Sequence, residues 1–299
     1  MTGPVNFLGA RRIISVLRVA GLLVGLALLQ ACSAVKIAYD QAPTLAHLYL
    51  DGFMDFGDAQ SVQVKVDLAK LQAWHRQTQL PDYIDLLQKT QPKMLQDITD
   101  KQACEIFADV RQKALGILDQ AEPAALEIAA TFTPRQLLAM ERKFAKGNAT
   151  WREDFLDGSA KNLAEKRQKS IIKRSEMLYG SVNSEQRSLI ALQVDKSQFK
   201  APLTYGERQR RQKDTLQTLA KITANPQDLN GTRREMRGLL NRSIASPDAA
   251  YRSYQERAIE DGCANFAELH NTTTGDQRKK AVRVLAGYEQ DLKVLAAQK

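Results

Sequence analysis

The chain has 299 residues, 26% of them charged, and a formal net charge of +9. That length suffices for one large helical domain or two small ones. The basic balance suits anionic partners, but no aromatic-rich binding motif accompanies it, which argues against a nucleic-acid-binding protein.

The first element is an apolar run from Val19 to Leu29, preceded by Arg11, Arg12 and Arg18 and by no acid before Asp40. A helix crossing the hydrocarbon layer needs about 20 apolar residues, so this run is too short to be a permanent span. A basic start, a short apolar stretch and a small residue before the break make the pattern of a secretory signal peptide. The break reads Leu29-Gln30-Ala31-Cys32. It resembles the bacterial lipobox, with an aliphatic residue three positions before the cysteine and a small one directly before it. Ala31 lets a peptidase reach the bond, and Cys32 receives a diacylglycerol thioether before its freed amine takes a third chain. Two or more acyl chains hold a protein stably on a bilayer where one does so only marginally. Ser33 follows, rather than the Asp of inner-membrane retention, which points to the outer membrane. The expected division is therefore a cleaved signal peptide over 1–31 and a single all-helical domain over 32–299, lipid-anchored and facing the periplasm. The mature chain carries a side-chain charge of +6.

Strand signals are nearly absent beyond this point, and the alternation Val62-Gln63-Val64-Lys65-Val66 lies inside a segment of helical character. Apolar residues recur three and four apart, as in Ile106, Val110, Ala114 and Ile117, in Leu137, Met140 and Phe144, and in Leu216, Leu219 and Ile222. Capping boxes mark several helix starts: Thr99 with Gln102, Thr133 with Gln136, Thr274 with Gln277, and more loosely Asn183 with Gln186. Ser246-Pro247-Asp248 opens another helix. The pattern predicts helices near 34–54, 58–79, 82–97, 100–130 (with Pro123 a candidate break), 134–157, 159–179, 184–197, 205–224, 226–244, 247–270 and 275–297. Breaks this short make sequential helices antiparallel neighbours. The expected fold is all-α, an elongated multi-helix bundle with short loops.

Besides Cys32 the chain holds Cys104 and Cys263. An even pair in an oxidising compartment favours a disulfide, two separate buried thiols being the alternative. Such a bond would close a loop of roughly 160 residues, a stabilisation of about 5 kcal/mol in the chain-entropy model.

No catalytic constellation emerges: there is no nucleophile elbow, no zinc-binding His-Glu-x-x-His and no phosphate loop. His47, His75 and His270 are far apart, and His75 beside Trp74 reads as a structural hydrogen bonder. Asp51, Asp55 and Asp58 would share a helical face if no break intervened, but Gly57 interrupts the helix and a solvated acidic surface is the plainer reading. No enzyme activity, cofactor or metal is expected.

Five segments occur in order: CSAVKIAYDQAPTLAHLYLDGFMDFGDAQ, LQAWHRQTQLPDYIDLL, FTPRQLLAMERKFAKGNATWREDFL, KRSEMLYGSVNSEQRSLIAL and TTTGDQRKKAVRVLAGYEQDL. Together they resemble an uncharacterised family of proteobacterial lipoproteins over nearly the whole mature chain. That resemblance implies acylation at Cys32 and no assigned activity. A weaker similarity is local. Phe132-Thr133-Pro134-Arg135-Gln136, Val182-Asn183-Ser184-Glu185-Gln186-Arg187 and Thr273-Thr274-Gly275-Asp276-Gln277-Arg278 look similar to the Leu-Thr-x-x-Gln-Arg motif of the periplasmic Spy/CpxP chaperones. All three lack the leucine, and plain helix capping explains the same residues.

Two basic segments complete the reading. Lys161, Lys166, Arg167, Lys169, Lys173 and Arg174 crowd one helix against Glu165, and Arg208, Arg210, Arg211 and Lys213 follow on another. They form either a solvated face or, if the two helices pack side by side, a surface for anionic lipid, lipopolysaccharide or envelope proteins. The expected function is a non-enzymatic binding, scaffold or envelope-maintenance lipoprotein. The alternative is a membrane-tethered Spy-like holdase.

Overall fold

The computed structural model describes residues 34–298, and every regular element among them is helical. Ala31, Cys32 and the expected signal peptide lie outside the described residues. The chain divides into two compact units, residues 1–42 and 43–299. The first contributes α1 (Ala34–Asp40). The second opens at Pro43, in the first turn of α2 (Ala42–Met54), where the N–H missing from proline has no intrahelical partner to lose.

The helices that follow are α3 (Asp58–Trp74), α4 (Leu80–Thr90), α5 (Asp100–Ala129), α6 (Pro134–Phe155) and α7 (Ala160–Tyr179). After them come α8 (Ser184–Lys196), α9 (Ala201–Ala224), α10 (Leu229–Ile244), α11 (Ala249–Asn271) and α12 (Gly275–Ala297). Most boundaries fall within two or three residues of the sequence pattern, and the exceptions have local causes. No break separates α3 from α4, because a π-turn over His75–Gln79 carries the helix up to Pro81. The Leu80 N–H donates to the His75 carbonyl five residues back, a widened turn that accommodates a helix position lacking its own donor. Beyond Thr90, Pro92 opens a 3₁₀ turn (Pro92–Leu95) in place of further α-helix. Pro123 does not break α5. Helix α9 begins four residues earlier than the pattern suggests, with proline again in its first turn. Asp248, not Ser246, caps α11, its Oδ1 accepting from the Ala250 and Tyr251 N–H groups.

Packing only partly follows chain order. Helices α7 and α8 pair as neighbours, as do α9 and α10, but the largest interfaces join α4 to α12 and α5 to α11. At 30 residues, α5 spans about 45 Å and enters two cores. Its end supplies Ile128 and Ala129 to a core with Val64, Phe132, Met140, Leu219, Ile222, Met236 and Leu239. Its start supplies Ala103 to a second with Met94, Ile98, Tyr179, Ala267 and Ala281. In that second core Cys104 of α5 and Cys263 of α11 are bonded, with Cα atoms 5.2 Å apart and 159 residues of separation. The intervening stripe is only partly covered: Val110 and Ala114 are exposed, whereas Ile106 and Ile117 turn inward.

Two glutamine clasps fix how the helix ends meet. In the first, the Oε1 atoms of Gln60 and Gln136 accept from the N–H groups of their own N-caps, Gly57 (2.9 Å) and Thr133 (3.0 Å). Each Nε2 then crosses to the loop leading into the partner helix: Gln60 to the Thr131 carbonyl (3.1 Å) and Gln136 to that of Asp55 (3.0 Å). The same register recurs between α8 and α12. Gln186 and Gln277 accept from the Asn183 and Thr274 N–H groups, at 3.0 and 2.9 Å. They donate to Thr272 O (3.2 Å) and Ser181 O (2.7 Å), and to each other's Oε1 at 2.9 Å in both directions. All four carbonyl acceptors lie two residues before a helix N-cap. Positive φ turns the chain beside two of them: 51° at Asp55 itself, and 86° at Gly180 just before Ser181. Aspartate and glycine are among the residues that tolerate this region best.

The clasps require an amide, since a carboxylate accepts hydrogen bonds but does not donate them. Gln186→Glu or Gln277→Glu is expected to cost about 2–4 kcal/mol through the stranded carbonyl and the buried charge. Gln102→Glu, in a box whose glutamine only accepts, is expected to stay within about 0.5 kcal/mol; urea melts of the three variants compare these directly. In the same assay, Cys104→Ala with Cys263→Ala is expected to lower stability by about 2–5 kcal/mol.

Candidate functional site

The basic segments have opposite fates. Helix α7 starts at Ser159, whose Oγ accepts from the Asn162 N–H (3.2 Å), and ends at Gly180. Ile171, Ile172, Ser175 and Tyr179 face the interior, which turns Lys161, Lys166, Lys169, Lys173 and Arg174 outward. Lys166 donates to the Glu153 carbonyl (2.8 Å) and pairs with Asp154 at 3.4 Å. Lys161, Lys169, Lys173 and Arg174 are exposed and make no ion pair among the described residues. Arg167 departs from the group. It is half-buried, donates to Ser197 Oγ (2.8 Å) and lies 4.8 Å above the Phe199 ring, and burial draws its pKa down.

On α9 the arginines are tied into the protein. Arg210 donates to both oxygens of buried Glu207 (2.8 and 2.9 Å), to Asp214 (3.2 Å) and to the Arg242 carbonyl (2.8 Å). Arg211 reaches Glu207 at 2.8 Å, and Arg208 reaches Asn148 at 2.7 Å. Ser246 Oγ donates to Glu207 at 3.0 Å, and Arg242 from α10 donates to Asp214 at 2.8 Å. Burial opposes the charge on Glu207, yet the hydrogen bonds from Arg210, Arg211 and Ser246 prevail and hold it below the usual carboxylate range. Hydrogen bonding from Arg242 does the same for Asp214, against a smaller effect of burial. Neither Arg210 nor Arg211 is therefore available as an anion-binding group, and the surface expected from α9 shrinks to exposed Lys213. The cause is burial rather than spacing, since each helix carries two acids within a turn of its cations. Glu207 and Asp214 of α9 lie inside with the arginines around them, whereas on α7 Glu165 is exposed and Glu176 pairs with Arg187. Nor do α7 and α9 pack along one another; both rest on α6.

An aromatic shoulder sets this corner of the structure. Trp151 stacks on Tyr205 with ring centroids 5.3 Å apart and meets Phe155 at 4.9 Å, while Phe155 meets Phe199 at 5.9 Å. These rings join the end of α6 to the start of α9 and, through Arg167, to α7.

The remaining candidates have structural partners. His47 bonds Ser61 Oγ (2.7 Å), and His75 lies 3.3 Å from the Tyr83 hydroxyl. Fully buried His270 accepts at Nδ1 from the Tyr179 hydroxyl (2.9 Å) and donates from Nε2 to the Gln96 carbonyl (2.8 Å). Asp51 accepts from the Phe56 N–H (3.0 Å), Asp55 pairs with Arg135 (2.8 Å), and the break between α2 and α3 takes Asp58 onto the next helix. Among the described residues no cluster of three or more histidines, cysteines or acids is arranged to hold a metal ion. None of the described helices is long and apolar enough to cross a membrane.

The model of a family of unknown function, DUF6279, matches residues 52–252. The chain belongs to that family. No curated protein and no solved structure matches it. The segment shared with DUF6279 contains the first glutamine clasp, the outer face of α7 and the Glu207–Asp214 network, but stops before α12 and so holds half of the second clasp. The four Thr/Asn-x-x-Gln motifs all lie at helix starts, and the glutamines of three, Gln136, Gln186 and Gln277, belong to clasps, whereas Gln102 closes only its own helix. Gln60, the fourth clasp glutamine, escaped the sequence reading because its N-cap is Gly57, which has no side chain to complete a box.

Acid is expected to weaken the fold over two pH ranges. Burial lowers the pKa of His270, so its neutral form stabilises the fold above the unfolded value near 6.5, and that stabilisation falls away as pH drops below it. Glu207 and Asp214 contribute above their unfolded values of 4.5 and 3.8, and that stabilisation is lost as pH falls below those values toward their lowered folded ones. Thermal melts between pH 7.5 and 3 are expected to show both declines, and Asp214→Asn is expected to lower stability at pH 7 while flattening the second.

Proposed function

We propose that this DUF6279 protein is a non-enzymatic lipoprotein of the bacterial outer membrane, facing the periplasm. In this reading acyl chains on Cys32 anchor it, and the outer face of α7 binds an anionic partner: a lipid headgroup, lipopolysaccharide phosphate or an acidic envelope protein. The lipobox pattern at Leu29–Cys32 supports the anchor. The observation that carries the binding role is the contrast between two Lys/Arg-rich helices. On α9, Arg210 and Arg211 pair with buried acids and Arg208 bonds Asn148, whereas Lys161, Lys169, Lys173 and Arg174 point outward with no ion pair among the described residues. A cation near an anionic surface contributes about 1 kcal/mol, so three lysines together favour binding by about 3 kcal/mol.

A Spy-like holdase is the second reading. It is favoured by the exposed stripe of Phe107, Val110 and Leu118 on α5, an apolar surface of the kind unfolded chains engage. The two roles separate experimentally. Unacylated protein carrying Lys161→Glu, Lys169→Glu and Lys173→Glu is expected to lose at least about 100-fold in affinity for phosphatidylglycerol vesicles or lipopolysaccharide at low salt. Unchanged binding would remove the anionic-partner role. Light scattering of a denatured client, slowed by the wild type and less so by Val110→Asp, would support the holdase in its place.

A further inference from the structure

Helix α2 presents a face that nothing described covers. Leu45, Leu48 and Tyr49 are 55, 60 and 67% exposed, and at spacings of three, four and one they share one side of the helix. Thr44 and Gly52 continue that side, and no charged residue of α2 is exposed along it. This stands out in a chain that is 26% charged. The opposite side is fully engaged: His47 bonds Ser61, Phe53 meets Phe144 at 6.1 Å, and Leu50 and Met54 pack on the first core. The only acid of α2, Asp51, turns inward to accept from Phe56.

We infer that the face formed by Leu45, Leu48 and Tyr49 docks onto the bilayer that holds the anchor, so that the protein rests on the membrane through α2. The inference rests on the acylation of Cys32 in the proposed function. Leu45 lies thirteen positions after Cys32, a tether of at most about 45 Å even when fully extended, and α1 shortens it. So short a link keeps the face at high local concentration beside the headgroups, and modest apolar contacts then suffice. The composition suits the interfacial zone: leucines at its apolar side, a tyrosine whose ring and hydroxyl divide between lipid and water, and no charge to desolvate.

The test uses acylated full-length protein in phosphatidylethanolamine–phosphatidylglycerol vesicles, with a nitroxide attached at Leu48→Cys or, as control, at Lys213→Cys. Both sites are exposed, and unchanged thermal melts verify that the label leaves the fold intact. The label at residue 48 is expected to collide at least fivefold less often with a water-soluble nickel complex than the label at 213, and more often with oxygen. Equal nickel accessibility at the two sites, with acyl groups found on the Cys32 peptide by mass spectrometry, would overturn the docking and leave the anchor standing. A Cys32 peptide without acyl groups would overturn both. Dipolar broadening between labels at 48 that persists on dilution with lipid would assign the face to a second copy, and protection only in protein that retains residues 1–31 would assign it to that segment; either overturns the inference.

Discussion

Everything in the helical body depends on how the ends of its helices are satisfied. A helix leaves its first N–H groups unpaired, and in an all-α protein with short loops these ends crowd together, together with the carbonyls of the connecting turns. The paired glutamines meet both demands with one side chain. One end of the amide closes the helix to which the residue belongs, and the other closes the turn before a neighbour. Because the exchange runs both ways, two chain segments that are remote in sequence acquire a fixed register. The residues just before the caps pack directly beneath: Phe132 into the first core and Val182 into a smaller cluster with Ile190 and Leu269. The polar clasp and the apolar core thus specify the same arrangement, the kind of agreement between levels that marks a foldable sequence.

Charge follows a similar logic. Helices α7 and α9 read alike as strings of Lys and Arg, yet one is a solvent-facing cationic surface and the other part of the interior's wiring. Both carry two acids within a turn of their cations. The difference is that Glu207 and Asp214 are covered by α10 and the Ser246 turn, which draws Arg210 and Arg211 in with them, whereas Glu165 on α7 stays in solvent. Arg242, arriving from α10, makes that network a joint between helices. A buried, multiply hydrogen-bonded set of this kind costs more to disrupt than it contributes net, so its main effect is to fix the angle at which α9 and α10 meet.

Helices were highly legible because their signals are local. Capping residues, prolines at first turns and apolar spacing placed most boundaries within a turn. What stayed hidden was non-local. The π-turn before Pro81 could not be told from a break, since both satisfy the same local pattern. The apolar spacing of Ile106, Val110, Ala114 and Ile117 marks a helix but not what covers it, and the neighbours of α5 cover only part of that stripe. Basic residues were visible, but whether acids on other turns would neutralise them was not. The clasps were half legible: three glutamines stood in recognisable boxes, and their second bond, to another helix's loop, has no signature in a single segment.

The return of α12 onto α4, and of α11 onto α5, bears on the time course of folding. The chain is threaded so that its last fifty or so residues complete structures begun in its first half. Local helices can form as the polypeptide emerges, but α4 lacks its main partner, and the second clasp its other hand, until the C-terminal segment arrives. Contacts that distant in sequence carry a large loop-closure cost and form late. The final helix therefore acts as the keystone, and a chain interrupted before residue 275 would be left with apolar surface open on α4 and an unmet polar turn beside Gln186.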